Sequence, residues 1–445
     1  MSVTRDSFHS KLGFILAAAG SAIGLGNVWG FPTQAANNGG GAFVFVYLIV
    51  TVLLAIPALY AEVYLGNQAQ KNPVAALQQA CADVSSNLGK WAGLFGLLGA
   101  VLMLSFYSIV AGWMLSHALA PIMELVGFQS LASWLAESST ARNLAFTPVF
   151  ILLSALIINR GVHQGIERWS SRLMPVLFLL LLGLIAYILQ QPGASEGVAM
   201  YLTPNFEQVK DPQLIISAMG QAFFSLSIGV GGMMVYGSYL KKDANLGKLV
   251  LSIGALDTLI AFLAGLLIIP TLFVAQHMGQ EVFRDGQLIG GPQLIFATLP
   301  ALFESMGQIG IYVSLVFFSL MSMAALTSTI SSTEVPVAYL VEDKGYSRTR
   351  ATLLVSIIVL SASMTLVFNF DPLFSMVINW VNSFQLPIMG LFYFIVVGWM
   401  YKRGNQLADK QLLQQKPWLK FWANYLRFVC PLLLSVVFIN VISNS

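Results

Sequence analysis

Residues 13–41, GFILAAAGSAIGLGNVWGFPTQAANNGGG, form an apolar run of membrane length that is broken in its middle by small residues. Gly20, Gly24 and Gly26 remove the side chains that hold a helix in shape, while Ser21 and Asn27 bring oxygens to a depth where lipid offers none. Backbone interrupted at that depth is tolerated only where its freed carbonyls face protein, water or a bound ion. A seam that lets neighbouring helices approach closely would account for the glycines alone. It leaves Asn27 unexplained, and with it a second interruption at 220–232, GQAFFSLSIGVGG, where hydroxyls and glycines again mix inside an apolar segment. Two broken hydrophobic segments in corresponding positions of two halves point to the binding site of a secondary transporter.

The rest of the chain fits a membrane. It is 57% hydrophobic and 9% charged with mean hydropathy +0.77, which excludes a soluble domain of 445 residues. Eleven segments have roughly the ~20 apolar residues that cross a bilayer. They are 12–35, 42–66, 91–120, 144–159, 172–190, 212–239, 249–275, 306–340, 350–369, 374–401 and 421–441, here spans 1 to 11. With the N-terminus cytoplasmic, 19 of the 22 Lys and Arg fall on cytoplasmic segments or the inner ends of spans, and only Arg142, Lys210 and Arg284 fall outside, as the positive-inside bias requires. The odd span count then places the C-terminus on the outer side, periplasmic or extracellular. Span 1 is too long and too interrupted for a cleavable signal, and Phe31-Pro32 follows it in place of a small-residue cleavage site. Net charge +3 is accounted for by topology and implies no nucleic-acid partner. Cys81 and Cys430 lie on the cytoplasmic side and near an inner span end, so no disulfide is expected. The whole chain, 1–445, reads as one transport domain in a bilayer, with loops 190–212 and 276–305 forming periplasmic structure above the site.

Three acids sit within spans: Glu62, Asp257 and Glu334. An ionised carboxylate there costs at least ~2.5 kcal/mol, which makes each a candidate functional group. No Lys, Arg or His stands at comparable depth beside them in the sequence, so cations from solution, hydrogen-bond donors or protons must serve as partners. In span 8, Ala324 and the hydroxyl-bearing Thr327, Ser328, Ser331 and Ser332 recur at helical spacing and share one face. Hydroxyls on such a face either bond the preceding turn or face a ligand.

Five stretches together make a resemblance: GSAIGLGNVWGFPTQAANNGGGAF, SFYSIVAGW (105–113), RGVHQGIERWS (160–170), GQAFFSLSIGVGGMMVYGSYL (220–240) and ALTSTISSTEVPVAYL (325–340). In order and spacing, from Arg5 to about Arg427, the chain resembles the neurotransmitter:sodium symporter family, in its bacterial branch of eleven-helix amino acid transporters. The resemblance implies an all-α membrane fold with an inverted five-plus-five repeat (12–190 and 212–401), unwound helices 1 and 6, and one extra helix at 421–441. It implies location in a bacterial inner membrane and two bound Na⁺. For the first ion it places Asp257, the Ala22 carbonyl, the Asn27 amide oxygen and Ser225, together with the substrate's carboxylate. Animal relatives that need chloride balance charge near this ion; Asp257 brings its own charge, so chloride is not expected. The second ion takes the carbonyls of Gly20, Ile23 and Ala324 and the hydroxyls of Thr327 and Ser328. Glu62 matches the acid that braces the broken segments, and Glu334 reads as a solvated acid near the inner vestibule.

By the same resemblance, Tyr107 donates to a substrate carboxylate that also meets the N–H groups of Leu25 and Gly26 at a half-helix start. Gly24 stands where amine transporters of the family carry an aspartate, which leaves the negative charge to the substrate. The implied substrate is a neutral α-amino acid, its ammonium near Ala22, Phe224 and Ser227. Ser21, Met103, Phe224, Ser227, Val230 and Ser332 would wall the pocket, and Val230 and Ser332 replace bulkier residues, which favours a bulky hydrophobic or aromatic side chain. The family's outer gate pairs an arginine with an acid in span 10. Here Gly30 takes the arginine's place, and INWVNSFQLP (378–387) offers only Asn379, Asn382 and Gln385, so the gate is expected to be remade with neutral groups. That departure keeps open a neutral indole-like substrate, or a sodium-dependent sensor on the same fold. The inner gate matches through Arg5, Phe8 and Glu342. An intramembrane protease is disfavoured: Asp257 is the one membrane aspartate, and His117, His163 and His277 lie near span ends. GLGNVWG (24–30) has the wrong glycine spacing for a dinucleotide loop. No enzyme activity is expected, and oligomeric state is not legible.

Overall fold

The computed structural model describes residues 7–284, 287–288, 294–401 and 417–444. It is helical throughout except for a two-residue antiparallel pairing of Phe283–Arg284 with Gln287–Leu288. Polar caps set many helix starts. Ser10, Ser85, Ser139, Asp211, Asn245 and Ser347 each accept a backbone N–H of the following first turn with their side chain, satisfying a donor that the helix itself cannot.

By length and composition, eight described helices can cross a membrane, and a ninth is a pair, Lys11–Ala22 and Gly26–Asn37, bent by 54° at its break. These correspond to spans 1 to 5 and 7 to 10. The remaining two expected spans are shorter. Span 6 divides into Pro212–Ser225 and Gly232–Ser238, and span 11 gives an apolar helix over Phe421–Val436. The structure extends span 3 to a 40-residue helix, Ser86–Leu125, about 60 Å long at ~1.5 Å per residue. That is twice the ~30 Å hydrocarbon thickness, so its ends project beyond the membrane. It packs along the other long helix, Gln308–Glu342. Leu152, Leu179, Leu353 and Ile357 are each more than half exposed, which is the outward belt a lipid-facing bundle presents.

Both breaks have a local cause. Ile23 leaves helical geometry (φ −70°, ψ 99°) between Ala22 and Gly24. In span 6, Gly229 and Gly231 adopt φ of +98° and +90°, and Ser227 is held at +52°, a conformation that glycine adopts freely and serine adopts only under constraint. Close packing places an acid against this second break. A Cβ at Gly66 would strike the Met234 carbonyl and one at Gly237 the Val63 carbonyl, so these two glycines let span 2 run backbone to backbone against the second half of span 6.

Candidate functional site

The interrupted part of span 1 faces span 7 on one side and span 8 on the other, and an oxygen cluster forms at each contact. Toward span 7, Asn27 donates its amide to Asp257 Oδ1 at 2.7 Å and to the Asp257 carbonyl at 3.2 Å, while Ser225 Oγ donates to Asp257 Oδ2 at 2.9 Å. All three side chains are fully buried. The structure thus brings together Asn27, Ser225 and Asp257 from three separate elements. Among the described residues Asp257 has no cationic partner within ion-pair distance. The donor set is carboxylate, amide, hydroxyl and carbonyl, which are hard oxygens suited to an alkali or alkaline-earth cation. Among the described residues no group of three or more His, Cys, Asp or Glu side chains could hold a transition metal.

Toward span 8, the Ser328 hydroxyl lies 3.5 Å from the Gly20 carbonyl, 3.2 Å from that of Ser21 and 3.3 Å from that of Ile23. One hydroxyl has one proton, so three carbonyl oxygens share a single donor and retain acceptor capacity for a cation. Thr327 Oγ1 donates to the Ala324 carbonyl at 3.0 Å and stands against Gly20, whose added Cβ would come within 3.2 Å of Thr327 Cβ. Gly20, Ile23, Ala324, Thr327 and Ser328 therefore meet at one place. Ser21 reaches the same helix through a 2.5 Å hydroxyl pair with Ser331.

Between the clusters, Tyr107 Oη accepts the Leu25 N–H at 3.1 Å. This is one of the N–H groups that the resemblance assigns to a substrate carboxylate. Gly24 closes the same space. A Cβ on it would stand 2.5 Å from Ser328 Oγ and 2.6 Å from Tyr107 Oη. Phe224 packs against Gly26, 3.1 Å from the Cβ that residue lacks. Met103, Val230 and Ser332 are buried.

Glu62 accepts the backbone N–H of Gly229, inside the span 6 break, at 3.1 Å and that of Met234, in the first turn after it, at 3.4 Å. A fully buried carboxylate thereby ties the interrupted segment to the start of the second half-helix, whose first N–H groups have no helical partner. Glu334 is different from its sequence reading. It is fully buried, not solvated, and accepts Tyr239 Oη at 2.6 Å and Arg348 at 2.5 and 3.2 Å. No basic neighbour is visible beside it along the chain because Arg348 lies fourteen residues away beyond a loop; its side chain folds back across the helix end, anchored by a bond to the Ile158 carbonyl at 2.7 Å.

Two glutamines bond to carbonyls at the breaks. Gln221 Nε2 donates to the Gly26 carbonyl at 2.8 Å, and Gln385 Nε2 donates to the Gly229 carbonyl at 3.1 Å. Gln385 is fully buried, which removes it from the outer gate where the sequence placed it. A polar residue one turn before Ser225 in an otherwise apolar segment was the available signal for Gln221. Gly30 faces that same glutamine, 3.2 Å from where its Cβ would be. His117 lies inside the long span 3 helix, not near its end, because that helix continues to Leu125; it is buried and shares a hydrogen bond with the Trp113 carbonyl at 2.9 Å. At the inner end, Glu342 accepts the Asn72 N–H at 2.7 Å, and Phe8 packs edge-on against Phe14 and Tyr236. Arg5 lies outside the described residues, so the gate pair assigned to it is not described.

A helical membrane bundle with two broken helices, whose breaks face buried hard oxygens and, in Asp257 and Glu62, carboxylates with no ion-pair partner among the described residues, belongs to the class of secondary transporters. Comparison with known proteins gives the family. A model of the sodium:neurotransmitter symporter family matches residues 5–145 and 139–445, and the chain belongs to that family. It is 32% identical to an uncharacterized sodium-dependent transporter, YhdH, of Bacillus subtilis, over 97% of each chain. It is 31% identical to an uncharacterized sodium-dependent transporter of Haemophilus influenzae, over 98% of each. Among solved structures, MhsT in complex with L-phenylalanine is similar at a TM-score of 0.84 and 34% identity, covering 98% of this chain and 100% of that one. The protein is a sodium-coupled membrane transporter and not an enzyme.

Proposed function

We propose that the protein is a symporter that uses two Na⁺ to import a neutral amino acid with a bulky hydrophobic or aromatic side chain by alternating access. The observation that carries the proposal is the convergence of Asp257, Asn27 and Ser225 on one side of the span 1 break and of Ser328 with three carbonyls on the other. The first cluster would hold one ion beside the substrate, with the Ala22 carbonyl and the substrate carboxylate completing its shell; the second would hold the other ion. The phenylalanine bound to MhsT supports an amino acid of this kind. Gly24 supports it too, because the space against Tyr107 and Ser328 leaves no room for an aspartate side chain, so the carboxylate there must come with the ligand. We place the protein in the bacterial inner membrane, N-terminus cytoplasmic and C-terminus periplasmic, with 12–190 and 212–401 as inverted repeats.

Because Asp257 supplies a fixed negative charge, chloride has no charge to balance. Detergent-purified protein is expected to bind phenylalanine or tryptophan equally well in sodium chloride and sodium gluconate, and not in choline chloride. A strict chloride requirement would overturn the role given to Asp257, and sodium-independent binding would overturn the proposal.

A further inference from the structure

Gln385 is fully buried where span 10 meets the interruption of span 6, and its amide is held from two sides. Toward span 6, Nε2 donates to the Gly229 carbonyl at 3.1 Å, and the N–H of that same glycine is bound by Glu62. Gly229 sits so closely on span 10 that a Cβ on it would come within 2.7 Å of the Leu386 carbonyl. Toward span 3, a Cβ at Gly99 would collide with the Gln385 amide, 2.6 Å from Oε1, so the missing side chain makes room for it. With Nε2 committed to a carbonyl, the amide cannot be turned over, and the atom left free is the oxygen. That oxygen is buried and has no hydrogen-bond partner.

A buried acceptor without a donor has lost its hydration for nothing in return, and native interiors leave few such atoms. The two glycines beside it fix its place. Gly99 and Met103 lie one turn apart on one face of span 3, and Gly229 stands between Ser227 and Val230 in the span 6 break. Met103, Ser227 and Val230 are walls of the proposed substrate pocket, so Oε1 stands at its foot, one turn of span 3 to the cytoplasmic side of Met103. Nearby hydroxyls are already taken: Ser21 pairs with Ser331, and Ser225 donates to Asp257. The donor for Oε1 is left to the ligand. A site built to bond a substrate N–H or O–H penalises the analogue that lacks it, because its own polar group then stays unpaired.

We infer that Gln385 is a specificity-determining residue of the substrate site: its amide oxygen accepts a hydrogen bond from an N–H or O–H on the aromatic side chain of the amino acid. Tryptophan or tyrosine is then bound in preference to a side chain of similar shape without the donor. The bond to Gly229 sets which end of the amide the ligand meets. The inference rests on the symporter reading for the position of the pocket and names the side-chain chemistry within it.

The test measures sodium-dependent binding to purified full-length protein by two matched pairs. Tryptophan is compared with L-3-benzothienylalanine, which carries sulfur where indole has N–H, and tyrosine with phenylalanine. In at least one pair the donor-bearing member is expected to bind about tenfold more tightly or better, and Gln385→Met, which keeps the length without the amide, to bring that ratio to within about twofold of unity. Loss of the Gly229 bond alone would weaken both members of a pair alike, so a ratio that persists in Gln385→Met overturns the inference and makes the residue a brace. Should that variant not fold, Gln385→Asn, which draws the amide back by one methylene, takes its place with the same expected fall in ratio. Sodium-dependent binding of all four compounds with no preference within either pair overturns this inference alone. Absence of sodium-dependent binding for every one of them would overturn the symporter reading as well.

Discussion

Asp257→Ala is expected to abolish sodium-driven uptake in reconstituted vesicles. The carboxylate accepts from Asn27 and Ser225 in a site with no exposure to solvent. Removing it deletes the fixed charge of the ion site proposed here and leaves those two donors unsatisfied, at about 1–3 kcal/mol each. Asp257→Asn separates charge from shape. It keeps an oxygen acceptor in place and lacks the charge, so it too is expected to lose sodium-coupled uptake, with the protein still folded by its melting behaviour. Wild-type sodium dependence in Asp257→Asn would make the residue a structural acid and would remove it from the ion site.

Gly24→Ala is the second large effect. The added methyl would stand 2.5 Å from Ser328 Oγ and 2.6 Å from Tyr107 Oη, closer than carbon and oxygen can pack. Ser328 belongs to the cluster proposed for the second ion, and Tyr107 bonds the first N–H of the half-helix. Overpacking of this kind costs about 1–3 kcal/mol, which corresponds to roughly a five- to 150-fold loss of substrate affinity. Sodium affinity should fall in parallel, because one methyl displaces groups from both sites. If phenylalanine binding by Gly24→Ala were within twofold of wild type, the carboxylate and the second ion could not both lie against Gly24.

The breaks were legible in the sequence because glycines and hydroxyls interrupt otherwise continuous apolar runs, and the backbone chemistry of a membrane makes such interruptions conspicuous. Asp257 was legible for the same reason, as a carboxylate without a sequence neighbour of opposite charge. Side chains that act across the fold were not. Glu334 read as solvated because its partner Arg348 returns from beyond a loop, and Gln385 read as vestibular because span 10 gives no sign of the turn at which it buries against Gly229. Arg142 read as a marker of topology: a lone basic residue near a span end carries no signal of the cavity that Trp29, Phe296 and Phe374 build around it from three other parts of the chain. Periodicity assigns a residue to a face of its own helix. Which remote element covers that face is fixed by packing.

Energy coupling is the central claim, and accumulation in vesicles measures it directly. Each inward Na⁺ supplies ~2.3 kcal/mol per 100 mV of membrane potential and about 1.4 kcal/mol per tenfold concentration ratio. At roughly 100 mV and a tenfold gradient, two ions provide about 7 kcal/mol and permit accumulation on the order of 10⁵-fold, whereas one ion permits several hundredfold. Vesicles holding the protein should concentrate phenylalanine or tryptophan beyond the one-ion limit, with net inward positive charge and a sigmoidal dependence on sodium, and should lose the accumulated substrate when the gradient is removed. Equilibration of the same amino acids to equal concentrations on both sides, indifferent to sodium, would contradict the account.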